Sequence, residues 1–164
     1  MHFLVSAVAL LLALAATHSA AAADCGRDAF AGVVGQASAE LAALNTEQKA
    51  GLNERLQRLK ARQGWADTDF IAKATPFVQS AKITEFDQGN NALLARVPQI
   101  GAPAATLAGA VASLPATDDR NCAMLQELRG LMAQLIDNTR AKWSYMLGKV
   151  DDAIEDAGQA QAVR

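Results

Sequence analysis

The side chains with the widest catalytic repertoire are few in this chain and poorly placed. Its two histidines, His2 and His18, both fall within the first 23 residues, a stretch with no Asp, Glu, Lys or Arg. Once that stretch is removed, the Ser-His-Asp triad, the Cys-His pair, the Glu-x-x-His iron site of helical bundles and nearly all catalytic zinc sites lack a required group. Ser38, Ser80, Ser113 and Ser144 sit in no G-x-S-x-G or S-x-x-K pattern, and Ser80 with Lys82 reads as a solvent-facing pair. Met124, Met132 and Met146, with Trp143 and Tyr145, lack the His or Cys that copper and haem sites use, so the stripe methionines and Trp143 are assigned to a core. No catalytic residue, metal ligand or cofactor is expected.

Two charged groupings remain. Asp151 with Glu155 and Asp152 with Asp156 are acidic pairs at helical i, i+4 spacing. Two ligands on one helix do not make a calcium site, and the pattern predicts a solvated acidic face. Asp87-Gln88-Gly89-Asn90-Asn91 lacks the order of a calcium loop and reads as a turn or a helix irregularity. Upstream, Arg55, Arg58 and Arg62 share one face of a basic helix. Their guanidinium groups could hold a phosphate, a lipid headgroup or a partner's carboxylates. They could equally pair with the acidic C-terminal run inside the same molecule.

Export explains the histidine-poor working chain. Phe3 to Ala16 is an apolar run followed by Thr17, His18 and Ser19 and then by Ala20 to Ala23, the small residues of a signal-peptidase site. Cleavage is placed after Ala23, giving a signal peptide at 1–23, a domain at 24–157 and a frayed tail at 158–164. The apolar run is short of the ~20 residues that cross a bilayer, so no membrane span is expected after cleavage. Asp24 occupies the place before Cys25 where a lipid-attachment site needs a small residue. Cys25 and Cys122 are too distant for a redox CxxC centre, and an even cysteine count in an exported chain predicts a disulfide between them. Closing a loop of that length is worth about 4 to 5 kcal/mol on the chain-entropy account.

The elements that would position these groups are helical. Phe30, Val33, Val34, Ala37, Leu41 and Leu44 recur at three- and four-residue steps over 28–44. Asn45 with Gln48 offers a capping box for a second helix carrying Leu52, Leu56 and Leu59 and stopping at Gly64, with Trp65 free to fold back as a cap contact. Phe70, Ile71, Ala74, Phe77, Val78 and Ala81 predict one kinked helix or two short ones around Thr75-Pro76. Thr84 with Asp87 opens a stripe of Phe86, Leu93, Leu94 and Val97. Residues 98–116 carry no charge, with Leu107, Val111 and Leu114 marking a short helix across the bundle or an exposed apolar docking segment. From Thr117 or Asp118, Leu125, Leu128, Met132, Leu135, Thr139, Trp143, Met146, Val150 and Ile154 form the strongest stripe. Its later steps average about 3.7 residues, as in a straight helix packed within a bundle. No period-2 alternation occurs, and the fold predicted is an all-α, single bundle of four to five helices with a long C-terminal helix, stapled by one disulfide.

With 164 residues and a net charge of −2, the chain sets up no strong field, and no nucleic-acid partner is expected. The function expected is that of a periplasmic or secreted, non-enzymatic helical binding protein with an envelope or secreted protein partner. Toxin neutralisation, stress holding and assembly support all fit. The candidate surfaces are Arg55, Arg58 and Arg62 and the segment of Leu107, Val111 and Leu114. The alternative is a carrier of a small apolar ligand in an interhelical cavity behind Phe70, Phe77, Phe86 and Trp143. An enzyme is the least expected class.

Overall fold

The computed structural model describes residues 25–100 and 119–162, so residues 1–23, read above as a signal peptide, and Leu107, Val111 and Leu114 lie outside the described residues. The described chain is all helical: α1 (Arg27–Gln63), α2 (Phe70–Val78), α3 (Ala81–Arg96) and α4 (Asp119–Ala162), with short 3-10 turns at Asp67–Asp69 and Val97–Gln99. The predicted all-α bundle, its long C-terminal helix and its disulfide are present.

α1 is one helix of 37 residues where two had been expected to meet at Asn45. The capping box is not used. Asn45 Oδ1 instead accepts from the Trp143 indole N–H at 2.8 Å, and Thr46 Oγ1 donates back to the Ala42 carbonyl at 2.8 Å. Capping residues in mid-helix leave the ladder intact when their side chains bond outward or backward in this way. α1 stops where predicted. Gly64 takes the left-handed conformation (φ 64°), and the Trp65 N–H donates to the Lys60 carbonyl at 3.1 Å, closing a Schellman turn that drives the Trp65 ring into the core.

The return arm is broken in the middle. α2 carries Pro76 inside it, and the chain then leaves the helix at Gln79. Ser80, read as a solvent-facing pair with Lys82, is the N-cap of α3: its Oγ accepts from the Ile83 N–H at 3.3 Å, so the helix starts at Ala81, ahead of the Thr84 start expected. Lys149 of α4 covers the break. Its Nζ donates to the Pro76 carbonyl at 2.8 Å and stands over the rings of Phe77 and Tyr145 at 5.8 and 5.7 Å. At the foot of the arm Lys60 bonds the Asp67 carboxylate, which holds that carboxyl below its ordinary pKa. The contribution is present above the ordinary carboxylate pKa and is lost as pH falls through the lowered value.

α1 and α4 run parallel in one register. Cys25 is bonded to Cys122, Arg140 pairs with Glu40 at 3.2 Å, Asn45 meets Trp143, and Arg55 Nε bonds both Asp151 oxygens at 2.9 and 3.0 Å. At the far end Gln161 Nε2 donates to the Arg62 carbonyl at 2.6 Å. α3 runs back antiparallel, with Asp87 beside Lys142 and Arg96 beside Glu127. The result is an up-down-up bundle about 60 Å long by the ~1.5 Å rise of a helix. Its interior is divided. One core gathers Phe30, Val97, Leu125, Leu128, Leu131 and Ile136 around the disulfide; the other gathers Leu52, Leu56, Leu59, Trp65, Ala74 and Val150 at the opposite end. Helix continues through Gly158 to Ala162, beyond the point where fraying had been expected.

The disulfide joins positions 97 apart, with Cys25 only 2% exposed. Replacing both cysteines by serine is expected to cost about 2 to 5 kcal/mol in denaturant unfolding with the helical content retained. A loss under about 1 kcal/mol would show that the upper core holds the two helix starts together without the bond.

Candidate functional site

α1 and α3 each pack along α4 and scarcely touch each other. The stretch of α4 between the two cores, buried at Leu135, Thr139 and Met146, lies at the bottom of the space between those two helices. Two clefts open there, of about 500 and 330 Å³, and they share Leu41 of α1, Leu94 of α3 and Leu135 of α4. They are two halves of one groove. The upper half is apolar, lined by Val34, Ala37, Val97, Pro98 and Met132 besides the shared leucines. Leu94 stands on the rim, 49% exposed.

The lower half carries a polar belt. Thr139 Oγ1 donates to the Leu135 carbonyl at 2.8 Å and accepts from Asn90 Nδ2 at 3.2 Å. Asn138 Nδ2 reaches both Asn90 Oδ1 at 2.7 Å and the Phe86 carbonyl at 2.8 Å. Asn45, bonded to Trp143, and Lys142, 2.5 Å from the Asp87 carboxylate, complete the belt on the two sides of the groove. Gly89-Asn90-Asn91 is thus neither a turn nor an interruption: the helix runs through it because Asn90 spends its amide on α4. A Cβ at Gly89 would stand 3.1 Å from Asn138 Nδ2, so glycine is what lets α3 approach the belt this closely.

The residues singled out from sequence fall as follows. Cys25 and Cys122 are bonded to each other. Arg55 is held by Asp151, Arg58 lies 3.7 Å from Glu54, and Arg62 Nη1 donates to the Ile154 carbonyl at 3.3 Å. Of the three arginines, Arg55 is the one whose ion pair reaches the acidic run, through Asp151. Among the described residues no group of three or more His, Cys, Asp or Glu side chains is placed to hold a metal. Phe70, Phe77 and Phe86 line neither of these two clefts. Phe70 and Phe77 pack with Trp65 in the lower core, and Phe86 faces Tyr145 with ring centroids 6.2 Å apart, which leaves only Trp143 of that group lining the groove.

The groove itself was read from sequence as core. Leu41, Leu94, Met132 and Leu135 all lie on apolar stripes, and periodicity does not tell a stripe that meets a partner helix from one that meets a gap. One sign was present. Leu93 and Leu94 are consecutive, so one of them must leave the core-facing stripe. Leu93 packs on the upper core and Leu94 projects over the groove.

The belt makes a coupling that can be measured. Gly89→Ala adds up to about 1 kcal/mol of helix propensity but presses on Asn138, so it is expected to be neutral or destabilising in the native background. In an Asn138→Ala background the same change should stabilise by several tenths of a kcal/mol, read by urea denaturation of the four proteins of the cycle. Comparison with protein-family models, with curated proteins and with solved structures finds no match to this chain.

Proposed function

We propose that this is an exported, non-enzymatic binding protein of the cell envelope, and that its ligand lies in the groove between α1 and α3. The observation that carries this reading is the groove itself: a continuous apolar trough with a half-exposed leucine on its rim and a satisfied polar belt across its floor. Its two halves fall in the size range of small-molecule sites, roughly 300 to 1,000 Å³. Concave, mostly apolar clefts with a few polar groups are where small molecules bind.

Export is supported by the apolar, uncharged start of the sequence and by a long-range disulfide, a bond that persists in oxidising compartments. No helix among the described residues is long and apolar enough to cross a membrane. The groove carries the binding reading; Arg55 and Arg62, bonded to Asp151 and to the Ile154 carbonyl, line neither of its halves.

The test is to purify the protein from its native envelope without detergent, extract it with organic solvent and identify what it carried by mass spectrometry. A near-stoichiometric apolar molecule on the wild type, absent from a Leu94→Asp variant that melts at a similar temperature, is the expected result. Failure to find any carried molecule, together with no response of Trp143 fluorescence to added apolar compounds, would overturn the proposal.

A further inference from the structure

The chemistry of the groove is uneven along its length, and the unevenness says what shape of ligand it suits. From the belt residue Asn45 to Val34 at the upper end, eleven residues of α1 cover about 16 Å. Side chains facing that half are apolar apart from Ser38. The length matches one hydrocarbon chain in half of a bilayer's ~30 Å core. It does not suit a whole helix, whose cylinder about 10 Å wide needs far more room than a cleft of about 330 Å³ provides.

At the belt two side chains that line the groove, Asn45 and Lys142, keep N–H protons beyond those they spend inside the molecule. Thr139 and Asn90 are bonded to each other, to Asn138 and to the Leu135 carbonyl. Asn45 must point its oxygen at the Trp143 N–H, since an indole nitrogen only donates, and its Nδ2 is left over. Lys142 gives one bond to Asp87 and retains further N–H protons. Both spare groups are donors, one on each side of the groove.

Resting on the reading of the groove as the ligand site, we propose that the ligand is a single-chain amphiphile: one acyl tail along Val34, Leu41, Leu94 and Met132, and an acceptor head, such as a carboxylate, between Asn45 and Lys142. A carboxylate head shares the Lys142 ammonium with Asp87, whereas a neutral hydroxyl head gains a hydrogen bond alone.

The experiment is calorimetric titration of the purified, disulfide-bonded protein with three probes, laurate, dodecanol and naphthalene, alongside sedimentation to fix its oligomeric state. The expected result is one laurate per chain, weakened tenfold or more by Lys142→Met while dodecanol changes less than threefold. Leu94→Asp, at an exposed rim position, should abolish both. Laurate affinity unmoved by Lys142→Met overturns the placement of the head. Naphthalene binding that is lost in Leu94→Asp, with neither laurate nor dodecanol bound, overturns the amphiphile and keeps the groove as a binding site. No binding of any probe, or a dimer whose dissociation is needed before Leu94 can be reached, overturns the ligand class and the groove reading together.

Discussion

The parallel seam between α1 and α4 is the constraint on which everything else in the molecule depends. Two helices of this length could slide past one another by a turn at modest cost if apolar packing alone held them, because a stripe of leucines and alanines offers several near-equivalent registers. Register is instead fixed by directional contacts spread along the seam: the covalent bond from Cys25 to Cys122, the indole of Trp143 on Asn45, and the carboxylate of Asp151 on Arg55 Nε. The ion pair is partly solvated and contributes only about 0.2 to 1 kcal/mol. Its role is geometric. Each such contact is satisfied in one register and broken in the neighbouring ones, which separates the native arrangement from its slipped alternatives.

A parallel pair requires a return arm, and the way this arm is built leaves the groove. The Schellman turn at Gly64 reverses the chain, α2 packs into the lower core, and the break at Gln79 with the cap at Ser80 lets α3 set off on its own line along α4. α3 is then held to α4 by polar contacts, Asn90 to Asn138 and Thr139, and by Val97 in the upper core. Among the described residues α3 scarcely touches α1. Such a helix satisfies its buried polar groups on one neighbour and leaves an apolar gap beside the other. The division of the interior into two cores is the same fact seen from inside.

What the sequence made legible follows from which interactions are local. The stop at Gly64, the fold-back of Trp65, the α4 stripe and the pairing of the two cysteines rest on cap chemistry, periodicity and an even cysteine count, all readable along the chain. The join at Asn45 and the supposed turn at Gly89-Asn90-Asn91 were misread for a single reason. Asn is a capping and turn residue when its side chain has only its own backbone to bond, and here Asn45 and Asn90 each bond a partner on α4, nearly fifty or a hundred residues away. Ser80 was passed over because an N-cap serine beside a lysine resembles any solvent-facing pair. The groove was invisible for a more general reason: a stripe records that a face is apolar, while the gap depends on how two other helices diverge.

The most direct test of this account is the direction and register of α1 against α4. With the native disulfide intact, spin labels at exposed Glu54 and Asp152 should give a short distance, and labels at Glu54 and Gln126 one of roughly 40 Å, set by the rise of the intervening stretch of α4. Equal distances for the two pairs, or a shorter one to Gln126, would show that the long helices do not run parallel in the register described, and the groove built on that register would go with it.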